Sequence, residues 1–62
     1  MRDHNRIPYI AKLLRQAWKL EPDQRLGQFI SNLLGPGRHD IFPIEDIEWV
    51  KLLEEKLEKT ND

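Results

Sequence analysis

RLGQFISNLLGPGRHDIFPIED, the stretch from Arg25 to Asp46, decides how this chain folds. Leu26, Phe29, Ile30 and Leu33 recur at the spacing of one helix face, with Leu34 at its edge. Asp23 stands just upstream as the expected N-cap, since a short side-chain oxygen can accept a bond from an orphan N–H of the first turn. Gly35 suits the left-handed position that ends a helix, and Pro36 blocks continuation. The pattern therefore predicts a helix over 24–34. Beyond it, Gly35-Pro36-Gly37-Arg38-His39-Asp40 reads as a connector. Ile41-Phe42-Pro43-Ile44 is apolar, but Pro43 has no N–H to give to a ladder, so no central strand is expected there. An extended lid, with Ile41, Phe42 or Ile44 plugging a core, fits better. Glu45 and Asp46 then open another helix, whose positive end favours carboxylates.

Working outward, Ile7, Ile10, Leu13, Leu14, Ala17 and Trp18 predict a helix over 6–20, with Tyr9 and Leu20 widening its stripe. Asn5 or His4 would cap it, and Pro8 falls in the first turn, where no intrahelical N–H is lost. Glu21 precedes Pro22 and is pushed out of the α region, which ends the helix. With so short a link to the next element, these two helices read as a hairpin or a helix-turn-helix-like pair. Downstream, Ile47, Val50, Leu53 and Leu57 predict a helix over 46–59, broadened by Trp49 and Leu52. That width exceeds the roughly 100° a single core face needs, so burial on two sides is expected, against the connector or another molecule. The reading is an all-α, three-helix domain spanning 1–62, with 1–5 and 60–62 frayed.

Size and composition set the limits. Sixty-two residues make one small domain that buries only about 60% of its unfolded surface. There is no cysteine, hence no disulfide and no thiolate metal site. The charged start followed by no apolar run gives no expectation of a signal peptide, and no stretch reaches the roughly 18 apolar residues of a membrane span. The net charge of −1 hides a split. Residues 1–38 carry seven Lys/Arg against three Asp/Glu, and residues 39–62 three against eight. Mutual attraction of the halves within the fold is the simpler consequence, ahead of two different partners.

Chemistry-bearing constellations are sparse. His4 and His39 are isolated, and His39, Asp40 and Asp46 do not make a convincing metal set. Ser31 has no histidine at a suggestive spacing. No cofactor motif is present, and one glycine, Gly27, is not a phosphate-cradling loop; close approach of a neighbouring helix or of Trp18 would account for it. The chain is expected to be non-enzymatic. Arg25, Gln28 and Asn32 share one face of the second helix at i, i+3 and i+7. Arg25 would latch the connector through Asp46 or Glu45, or else this edge meets a partner. Trp49 and Leu52 are the other candidate contact residues, since large apolar side chains beyond core needs anchor interfaces. Lys12, Arg15 and Lys19 line the outer face of the first helix, with Glu54, Glu55 and Glu58 on the third as ordinary surface charges or their partners.

The motif Arg25-Leu26-Gly27-Gln28-Phe29-Ile30, then Asn32-Leu33, Asp40-Ile41-Phe42 and Ile44-Glu45-Asp46, resembles a group of short bacterial and phage-encoded proteins of unknown function. Arg6-Ile7 and the segment from Trp18 to Pro22-Asp23 are similar to the same group, so the likeness covers most of the chain. It implies a bacterial or phage, cytoplasmic origin and no activity, cofactor or catalytic residue. The function expected is a small protein-interaction module, binding an unknown protein or itself as a homodimer. The alternative is a helix-turn-helix-like nucleic-acid-binding protein, with Lys12, Arg15, Lys19, Arg25 and Arg38 on phosphates. No membrane role is expected.

Overall fold

The computed structural model describes residues 3–38 and 40–60. It contains α1 (Arg6–Trp18), α2 (Leu26–Leu34) and α3 (Asp46–Thr60), with no strand among those residues. The all-α, three-helix reading is what the chain adopts. His39 and the ends 1–2 and 61–62, to which expectations were attached, lie outside the described residues.

The α1 start is held from upstream. Asn5 occupies the cap position, but its backbone is already helical and its side chain makes no cap bond. Asp3 does the work instead: its Oδ1 accepts the Asn5 N–H at 2.9 Å, and its carbonyl accepts the Arg6 N–H and the Arg6 Nη1. At the other end, Leu20 and Glu21 donate to the carbonyls of Ala17 and Trp18, tightening the chain out of α geometry two residues before the expected stop. The Trp18 Nε1–H then donates to the Gln24 carbonyl at 2.8 Å, so the indole holds the interhelical loop beneath it.

That loop explains why Asp23 is not the cap of α2. Gln24 N–H closes a turn onto the Glu21 carbonyl, and its own carbonyl is taken by Trp18. The backbone becomes extended only at Arg25 (φ −70°, ψ 155°), which is the true cap position. Gln28 Oε1 accepts the Arg25 N–H at 3.0 Å, the side-chain half of a capping box. Gly35, at φ 87°, ends the helix and donates its N–H to Ser31.

The core is Leu13 and Ala17 of α1, Phe29 of α2 and Leu53 of α3, with Leu34 also buried. Helix α3 packs against both α1 and α2 and is the organising element, rather than an α1–α2 pair. Ala17, fully buried, lets the backbones approach closely. The rings of Trp18 and Phe29 stack at 6.3 Å and tie α1 to α2. Ile10, Leu14, Ile30, Leu33, Val50 and Leu57 pack around this centre.

Several expected core positions lie elsewhere. Leu34, expected at the edge of the stripe, is buried, whereas Leu26 is about half exposed and Ile47 largely so. The connector is not a lid. Phe42 is 93% exposed and Ile41 51%, with only Ile44 half-buried. The reason is local: Asp40 Oδ1 accepts the Phe42 N–H at 3.1 Å, and Ile44 N–H donates to the Ile41 carbonyl. These two bonds fold 40–44 into a tight turn with Phe42 at its tip. Gly27 has no close neighbour, since a Cβ there would meet nothing within 4 Å.

Candidate interaction surface

The five residues singled out from sequence do not form one patch. Gln28 and Asn32 line a shallow depression with Gly27 and Ser31. Asn32 and Leu52 share a separate hollow of about 230 Å³ with Glu21 and Lys56. Trp49 lies half-buried in a third cleft, against Ile10, Ile30 and Ile41. Arg25, Gln28 and Asn32 are exposed.

The latch foreseen between Arg25 and the connector is made by another arginine. Arg6 Nε reaches Asp46 Oδ2 at 2.6 Å, joining the start of α1 to the start of α3. Arg38 Nη2 pairs with Glu48 Oε2 at 2.5 Å and fastens the connector to α3. Lys56 Nζ holds Glu21 Oε1 at 2.6 Å, bridging α3 to the α1–α2 loop. Two of these pairs join a cation of the basic half to a carboxylate of the acidic half. All are partly exposed, so each adds only about 0–1 kcal/mol. The Tyr9 hydroxyl donates to Glu54 Oε2 at 2.6 Å. That bond, then partial desolvation and the carboxylate's charge, push the phenol above its usual range. Among the described residues no three His, Asp or Glu side chains gather as a metal cluster, and no helix is long and apolar enough to cross a membrane.

Two features escaped the sequence reading. The first is the Phe42 knob. Its signal was present: Asp two residues before Phe, then Pro, is the chemistry of an Asx-type turn. The second is a shallow, open apolar groove of about 460 Å³ along α1 and the following loop, lined by Ala11, Leu14, Trp18 and Pro22 together with Arg15 and Lys19. Lys12 stands one turn before Arg15 on the same helix face. None of these three cations has a carboxylate within ion-pair distance among the described residues, and Glu54, Glu55 and Glu58 do not reach them. Gln24 Oε1 is also buried without a hydrogen-bond partner among those residues.

Comparisons with family models, with curated proteins and with solved structures find no match for this chain. Fold and surface therefore define it: a small all-α domain that keeps a closed miniature core and displays an aromatic knob and a cation-rimmed apolar groove.

Proposed function

We propose that the chain is a small non-enzymatic protein-interaction module that binds another protein or a second copy of itself. The observation that carries this reading is Phe42, 93% exposed at the tip of a turn closed by its own hydrogen bonds. Burying a phenylalanine is worth about 1.5–3 kcal/mol, and the fold does not collect it. The turn's backbone is already ordered by its own hydrogen bonds, so docking the ring has only side-chain rotamers left to fix, and buried aromatic anchors dominate interface energies. A bacterial or phage source and a cytoplasmic setting belong to this reading on the strength of the sequence resemblance alone.

The test is size-exclusion chromatography with light scattering, together with a pull-down using the tagged chain and its Phe42→Ser variant. The module reading predicts a dimer, or a specific protein captured by the parent and lost by the variant. A strict monomer that captures nothing at micromolar concentration contradicts it.

A nucleic-acid-binding reading draws support from Lys12, Arg15 and Lys19, which have no carboxylate partner among the described residues. It has less behind it, because α2, the helix that would enter a groove, carries no cation between Leu26 and Leu34. Titration of labelled DNA and RNA at two salt concentrations separates the readings; no binding at low salt removes it.

A further inference from the structure

The molecule displays two unsatisfied features of opposite character. One is the Phe42 knob, set in a segment, residues 40–48, that holds four carboxylates and no cation. Arg6 and Arg38 answer Asp46 and Glu48, while Asp40 stands two residues before the ring and spends one oxygen on the Phe42 N–H. The other is the Trp18 groove, whose floor is apolar and whose rim is Arg15 and Lys19 without carboxylate partners among the described residues. An apolar ring beside a carboxylate matches an apolar groove beside two cations in character and in sign of charge.

Their placement adds a second argument. Leu14 of α1 borders both the groove and the cleft lined by Ile41, the chain neighbour of Phe42. A two-fold pair of molecules meeting along this part of α1 can exchange knobs reciprocally and close, whereas features on opposite sides would generate an open chain of contacts.

Building on the interaction-module reading, we propose that the occupant of the Trp18 groove is the Phe42 turn of a second copy, with Asp40 against Arg15 and Lys19, in a reciprocal dimer. The interface is modest, so association is reversible and salt-sensitive, since the flanking charges are exposed.

The experiment is sedimentation equilibrium at low salt, repeated at higher salt, from about 10 µM to about 1 mM protein, on the parent and exposed-site variants whose fold is checked by circular dichroism. Phe42→Ser loses a ring at both contacts and weakens the dimer by about 100-fold or more. Asp40→Asn keeps the turn, because its amide oxygen still accepts the Phe42 N–H, but removes the charge, so its dimer is weaker and less salt-sensitive. Arg15→Glu with Lys19→Glu places like charges together at both contacts and is monomeric. Adding Asp40→Asn to the Arg15→Glu/Lys19→Glu chain relieves that repulsion and restores part of the dimer. A parent that remains monomeric to about 1 mM, a Phe42→Ser chain as dimeric as the parent, or a combined variant no more dimeric than Arg15→Glu/Lys19→Glu overturns the proposal. A monomeric parent that still captures one defined protein through Phe42 overturns self-docking alone and leaves the module reading standing.

Discussion

Replacing Phe29 by alanine should abolish the fold. Phe29 is 1% exposed, the one large side chain fully buried among the described residues, and it clusters with core residues of both other helices. Truncating a buried phenylalanine costs about 3–5 kcal/mol through lost transfer energy and the cavity left behind. Here the cavity would be walled by Leu13, Ala17 and Leu53, residues of two other helices that cannot collapse inward without moving their backbones. The Trp18 stack disappears as well, and such ring pairs add about 0.5–1.5 kcal/mol. A domain of this length has about 3–9 kcal/mol of stability in all, at the usual yield per residue. Phe29→Ala is therefore expected to be largely unfolded at room temperature, while Phe29→Leu, which keeps most of the volume, loses roughly 1.5 kcal/mol. Far-ultraviolet circular dichroism with a urea titration measures both. A Phe29→Ala chain that retains the parent helicity and a urea midpoint within error of the parent refutes this placement of the core.

Three smaller perturbations follow from the same coordinates. Gly27→Ala should stabilise by up to about 1 kcal/mol, since the added methyl meets no neighbour and helical glycine is unfavourable; a lower urea midpoint would contradict the open space around it. Gly35→Ala should destabilise by about 1–3 kcal/mol, because φ of 87° with an extended ψ is a conformation that side chains resist, and denaturation again reports it. Tyr9 is the only tyrosine, so tyrosinate absorbance reads it directly, and its midpoint should lie above that of a free phenol. Its raised folded value means the contribution of the Glu54 bond is complete below about pH 10 and is lost as pH climbs through the folded pKa; Tyr9→Phe should remove that part of the alkaline dependence.

Periodicity carried the helices because it is enforced by burial: Leu13 and Ala17, then Phe29, then Leu53 are inward in the structure as their spacing requires. Gly35 announced the end of α2 for an equally physical reason, its positive φ. The misplacements arose where one specific hydrogen bond or ion pair, near or far along the chain, overrode the preference of residue type. Asp23 is a good cap by type, but the Trp18 indole claims the Gln24 carbonyl and delays α2 to Arg25. Arg25 is well placed to meet Asp46 along the chain, but Arg6, forty residues away, arrives at 2.6 Å. Apolar type alone does not separate Ile41, Phe42 and Ile44 as plugs for the core; only Ile44 is half-buried, and the bond from the Phe42 N–H to Asp40 sets Phe42 at the tip of the turn. The groove beside Trp18 needs the loop that returns beneath the indole, and no residue spacing encodes that return.

The account rests on Phe42 standing outside a core that α1, α2 and α3 close without it. Urea denaturation of Phe42→Ser, at a protein concentration low enough to keep the chain monomeric, tests this most directly. An exposed side chain predicts a stability within about 0.5 kcal/mol of the parent. A loss of about 2–3 kcal/mol, the size of an extracted core ring, would put Phe42 inside and contradict both the fold and the docking role drawn from it.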